Sequence, residues 1–152
     1  MATTAREIER GIEAALTAIT AQDAAAFTEA TTDLAARPAE QTGLVLGAAL
    51  RELLEVAHPD GLDADDIQAA LARTVRATVA WLPGLDPAGF VAALTGALGV
   101  TEPDEVPPPP AVTQPAALLL VADLAAIARV PATAAVRSAF TEIERAETVE
   151  MP

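Results

Sequence analysis

The chain has 152 residues, 52% of them hydrophobic, and a formal net charge of −13 at pH 7. It has no cysteine, which excludes disulfides, thiolate metal sites and thiol nucleophiles. The negative charge repels phosphate backbones and anionic lipids, so no nucleic-acid partner and no membrane partner are expected. The length suits one domain, 1–152, with a single hydrophobic core.

The predicted location is the cytoplasm, because the first residues lead into a charged amphipathic segment without the basic and apolar regions of a secretory signal. The longest nearly uncharged apolar run, 116–128, is interrupted by Asp123. It is shorter than the ~20 residues that cross a bilayer. We therefore predict a buried helix there.

The first two predicted helices have recognisable start signals. Thr4 and Glu7 have the spacing of a capping box, so helix 1 is predicted to begin there and to end near Thr20. Asp23 is predicted to cap helix 2, which should stop before Pro38 because a residue that precedes proline avoids helical geometry.

Helix 3, from about 38 to 57, is predicted to be the central helix because its apolar residues cover more than one seam. Helix 4 should begin at the N-capping Asp63, with Leu62 placed to pack on Ile67, and should end near Trp81. The predicted buried stripe of helix 4 comprises Ile67, Leu71, Val75, Val79 and Leu82.

Helix 5 is predicted between an N-capping Asp86, followed by Pro87 at the first helical position, and a C-terminal Gly99. Residues 101–115 are rich in proline and are predicted to form an extended connector. The last two helices, within 116–148, are too few for a core of their own and should pack on the helical core, about 4–99, or on a partner. The sequence therefore predicts an all-α bundle of six to seven helices.

Glu55 and His58 form the most suggestive pair for chemistry. Their spacing of three resembles the Glu-x-x-His motif of ferritin-like di-iron proteins, which use two such pairs and two further glutamates. One chain supplies one pair, so a metal site would need a dimer. The alternative, which we favour, is that His58 interacts with the C-terminal end of helix 3. We predict no catalytic residue and no cofactor.

The composition favours binding over catalysis, because so much alanine and leucine surface on helices needs covering. We expect a non-enzymatic interaction or scaffold protein that binds a protein partner or self-associates, for instance as a homodimer. The alternative is a helical metal-binding or small-molecule-binding domain, or an enzyme, that uses carboxylate and arginine groups near Glu55 and His58. The predicted interaction surface comprises Leu118, Leu119, Leu120, Leu124 and Ile127.

Overall fold

The computed structural model describes residues 2–150 and shows, within that range, seven helices and no strand. The all-α fold class predicted from the sequence is thus confirmed. The helices are α1 (Ala2–Ala21), α2 (Ala24–Ala35), α3 (Ala39–Ala57), α4 (Ala64–Val79), α5 (Pro87–Leu98), α6 (Pro110–Ala128) and α7 (Ala132–Glu150).

Side-chain capping fixes the starts of three helices where the sequence predicts them. Asp23 accepts a hydrogen bond from the Ala26 amide, and Asp86 accepts one from the Ala88 amide. Asp63 and Asp66 form a reciprocal capping box at the start of α4. The predicted cap at Thr4 is wrong. Thr4 lies within the first turn of α1, which already begins at Ala2.

The central helix is α6, because it contacts every other helix of the bundle. Leu118, Leu120, Val121 and Leu124 are fully buried along it. The prediction that α3 is central is therefore corrected: α3 packs mainly on α5, α6 and α7. The difference arises because α6 is apolar on nearly every side, which suits a helix surrounded by others. Through these contacts α6 and α7 pack back on α1–α5.

The start of α6 differs from the prediction, since residues 110–115 are helical and not part of an extended connector. Pro110 occupies the first helical position, where its missing amide hydrogen removes no intrahelical bond. Pro115 lies inside the helix and is buried. The segment without helix between α5 and α6 is therefore limited to residues 99–109.

By length and composition α6 meets the criterion for a membrane-spanning helix, with 19 residues and a mean hydropathy of 1.7 over an 18-residue window. Half of that window is buried inside the fold. The apolar run predicted from 116 to 128 gains length from the earlier start at Pro110. A core helix passes the same test, and in this fold α6 is the helix on which the others pack.

The predicted stripe of α4 is confirmed in part, since four of its five residues pack partly buried against the core: Ile67, Leu71, Val75 and Leu82. Ala70, Thr74 and Thr78 are buried, whereas Val79, a predicted stripe residue, is 60% exposed. Ile67 is only partly buried. The most buried positions of α4 are thus held by small side chains, and the larger apolar residues lie beside them. Arg73 joins α4 to α6 by a 2.8 Å ion pair with Asp123 on α6.

Candidate functional site

Glu55 and His58 do not form part of a larger group of potential metal ligands within residues 2–150. Glu55 is exposed on α3, and His58 is the residue that ends this helix. Its Nδ1 lies 3.1 Å from the Leu54 carbonyl oxygen, and its Nε2 lies 3.9 Å from a carboxylate oxygen of Asp66. His58 thus contacts the end of α3, as the capping interpretation predicts, and it also lies near Asp66 at the start of α4. Within residues 2–150 no three His, Asp or Glu side chains are grouped as a metal site requires. Completion of the site by a second chain stays a prediction.

Ser138, the one serine of the chain, lies in a contact between two helices. Its hydroxyl donates a 3.1 Å hydrogen bond to Oε1 of Glu52, which joins α7 to α3. The other carboxylate oxygen of Glu52 is buried without a hydrogen-bond partner among the described residues. A nucleophilic hydroxyl needs an adjacent base and an oriented third group, and this contact supplies only a carboxylate that ties two helices together.

The predicted interaction surface on α6 requires correction. Leu118, Leu119, Leu120 and Leu124 are each 3% exposed or less. They form part of the hydrophobic core and are not accessible to a partner in the folded chain. Ile127, at 50% exposure, is the one residue of the five that faces outward. The physical reason is the central place of α6, whose leucines contact the surrounding helices rather than solvent.

An open groove lies elsewhere, between α1, α3 and α7, with a volume of about 310 Å³. We call it the acidic groove. It is lined by Ala5, Ile8, Gln41, Leu44, Val45, Phe140, Ile143, Glu144 and Glu147. Leu44 is 55% exposed, although it belongs to the broad apolar surface of α3. Among the described lining residues, Glu144 and Glu147 alone carry charge.

The spacing along α7 explains how this groove combines apolar and acidic groups. Phe140, Ile143, Glu144 and Glu147 follow one another at intervals of three, one and three, which places them on one side of the helix. Phe140 and Ile143 are half-buried against the core, and the two glutamates beyond them are exposed. One helical stripe therefore changes from apolar to acidic as α7 approaches its end.

Glu144 and Glu147 make the potential of the acidic groove negative. A cation above the groove would be attracted by these two carboxylates.

Sequence reasoning identifies the stripe on α7 but not the groove, because the groove needs the long-range pairing of α7 with α1 and α3. The sequence does contain one signal for the groove: Glu144 and Glu147 follow Phe140 and Ile143 on the same side of α7. Comparisons of the chain with protein-family models, curated proteins and solved structures give no significant match. Function is therefore inferred from the geometry of this chain alone.

Proposed function

We propose that this chain is a non-enzymatic interaction protein whose acidic groove binds an amphipathic, basic helix of a partner protein. Helices commonly dock into apolar grooves through residues spaced three and four apart. The observation that carries the proposal is the apolar lining between α1, α3 and α7, whose charged lining residues within the described chain are Glu144 and Glu147.

The apolar part of the binding free energy would come from residues that remain partly accessible. Leu44 is 55% exposed, and Phe140 and Ile143 are only partly buried. Complete burial of a leucine side chain contributes about 1.5–3 kcal/mol, so covering the exposed half of Leu44 would contribute roughly 1 kcal/mol. Leu44 is thus the residue whose replacement should affect binding most.

The negative charge of the groove and of the whole chain favours one class of partner. A segment that carries lysine or arginine is attracted to Glu144 and Glu147 and to the net charge of −13. A second copy of this chain carries the same negative charge and would be repelled at low salt. A basic partner is therefore favoured as occupant. Self-association and a cytoplasmic location stay predictions.

The test uses two synthetic peptides of about 18 residues, long enough for five helical turns. Both carry leucine at helical spacing, and the other positions hold lysine and alanine in one peptide and glutamate and alanine in the other. Titration calorimetry should show binding of the lysine peptide alone. Leu44→Glu should abolish this binding, and added salt should weaken it.

Glu144→Gln and Glu147→Gln together should weaken binding by roughly 3- to 30-fold, because each exposed charge pair contributes about 0.3–1 kcal/mol. The matched control replaces Glu29 and Glu55, which are exposed outside the groove, by glutamine. It changes net charge equally and should have little effect. Equal losses in both double variants, or equal binding of both peptides, would overturn the proposal. A dimer in sedimentation velocity that Leu44→Glu dissociates would assign the groove to a second copy instead.

A further inference from the structure

A second groove lies between α3, α5 and α6, with a volume of about 270 Å³. We call it the glycine groove, because Gly43 and Gly47 of α3 and Gly96 of α5 line it. No charged residue belongs to its described lining. It uses residues different from those of the acidic groove, so a ligand of the glycine groove goes beyond the proposed function and does not depend on it.

The packing of the fold does not require these three glycines, since Gly43 and Gly96 are exposed and Gly47 is partly exposed. A Cβ atom added at Gly43, Gly47 or Gly96 would meet nothing within 4 Å. Gly11 and Gly89 differ, because a Cβ there would lie 3.0 Å from Leu34 Cδ1 and 2.5 Å from the Val112 carbonyl oxygen, respectively. Glycine inside a helix is less stable than alanine, and this chain uses alanine freely.

Three helical glycines along one groove are explained if an occupant approaches the backbone closely, which a glycine permits and a side chain prevents. The three positions come from two helices, α3 and α5, that bound the groove together. Their lack of side chains keeps the slot between these helices open. An unbranched chain can lie closer to a glycine backbone than a branched one, so a groove of this kind favours an occupant of small cross-section.

Gln114 supplies a second, independent observation. This α6 residue lines the glycine groove and is only 4% exposed. Its Oε1 is buried without a hydrogen-bond partner within the described chain. Buried amides are nearly always hydrogen-bonded, because an unpaired one loses its water without compensation. A half-turn of the terminal amide exchanges its oxygen and nitrogen, so it can meet either a donor or an acceptor.

We propose that the glycine groove binds an unbranched aliphatic chain with a neutral hydrogen-bonding head group that pairs with the amide of Gln114. The glycines admit the chain, and alanine and leucine residues of the groove, such as Leu46 and Ala93, contact it. The head group is neutral because an ionised group in a lining without charge would lose hydration without an ion pair. The volume of about 270 Å³ lies just below the range for ligand pockets, about 300–1,000 Å³, so the ligand is short.

The test uses hexanamide as probe and 3,3-dimethylbutanamide, its branched isomer, as the matched comparison. Amide NMR spectra should show saturable shifts at Gly43, Gly47 and Gly96 when hexanamide is added. The side-chain amide of Gln114 should move as well, and it is easily followed because the chain has four glutamines and no asparagine. The branched isomer and hexanoate should bind at least about tenfold more weakly.

Two variants locate the binding. Gly47→Leu fills the groove and should weaken hexanamide binding by about tenfold or more, whereas Ala72→Leu, on the exposed side of α4, should leave it unchanged. Gln114→Leu removes the side-chain amide that pairs with the head group and should weaken the binding of hexanamide. If Gly47→Leu does not fold, Gly47→Ala adds only a methyl group in open space and still narrows the slot.

Several outcomes would overturn the proposal. One is the absence of saturable shifts up to about 20 mM hexanamide, a concentration that detects even very weak binding. Another is equal binding of the branched isomer, or binding unaffected by Gly47→Leu or by Gln114→Leu. Stronger binding of hexanoate would point instead to Arg51, whose Nε donates to the carbonyl of Ala97 at the groove. Shifts of the three glycines by the leucine–lysine peptide would show that the glycine groove docks a helix.

Discussion

Replacing Gly43, Gly47 and Gly96 together by alanine should stabilise the protein. Each position is helical, and a Cβ there meets nothing within 4 Å. Alanine is favoured over glycine in a helix interior by up to about 1 kcal/mol, and part of the gain comes from a less flexible unfolded chain. The triple variant should therefore gain roughly 2–3 kcal/mol, and its Tm should rise by about 4–12 °C for a chain of this length.

Gly89→Ala is the control for a glycine that the packing requires. Its Cβ would lie 2.5 Å from the carbonyl oxygen of Val112, where α5 crosses α6, and backbone must move to admit it. Overpacking of this kind costs about 1–3 kcal/mol, which exceeds the gain in helix propensity. Gly11→Ala should lie between these cases, because the atom it approaches, Leu34 Cδ1 at 3.0 Å, is the end of a side chain that can shift.

Urea unfolding followed by the fluorescence of Trp81 measures these differences. Trp81 packs edge-on against Phe27, with ring centroids 5.7 Å apart, so its emission should change when the helices separate. The midpoint should rise in the triple variant with an unchanged slope. A triple variant less stable than the wild type, or a stabilising Gly89→Ala, would refute the assignment of the three glycines to an open groove.

Two further substitutions test the core and a helix cap by the same assay. Leu120→Ala, at a fully buried position of α6, should cost about 2–5 kcal/mol, whereas Val106→Ala, at 87% exposure, should change stability by less than about 0.5 kcal/mol. A mild effect of Leu120→Ala would contradict the central place of α6. Asp63→Ala should cost about 1 kcal/mol by removing the capping box of α4, and Asp65→Ala, one of the exposed acids in the same turn, should cost less. Equal losses at the two aspartates would argue against the box.

Apart from the start of α1, the sequence predicts helix ends well where a single residue determines them. Asp23, Asp63 and Asp86 cap helices at the predicted places, and Gly99 ends α5 with the left-handed φ of 71° that glycine readily adopts. These signals are local, since the capping group lies within three residues of the amide it satisfies. They need no knowledge of the tertiary packing.

The sequence does not predict which helix face is buried when several faces are apolar. In α6 the alanines and leucines cover nearly every side, so periodicity cannot separate a core helix from a docking surface, and the prediction of Leu118 and Leu120 as surface residues is wrong. In α4 Thr74 is buried and Val79 is exposed, although the apolar spacing predicts the opposite. Pro115 lies inside α6 because tertiary packing tolerates a proline that local preference would place outside a helix.

The two grooves cannot be predicted from the sequence for a related reason. The acidic groove lies between α1, α3 and α7, and the glycine groove lies between α3, α5 and α6. Each depends on contacts between residues distant along the chain. The spacing of Gly43 and Gly47 indicates only a place where another helix can approach or a weak point in α3. Gly43 and Gly47 line one groove together with Gly96 and Gln114 only because the fold brings α3, α5 and α6 together.

Intermolecular NOE spectra of the complex with the leucine–lysine peptide test the proposed interaction most directly. They should connect peptide leucine methyl groups with Leu44, Val45 and Ile143, which line the acidic groove. A specific complex whose NOEs involve none of these three side chains would contradict the assignment of partner binding to the groove between α1, α3 and α7.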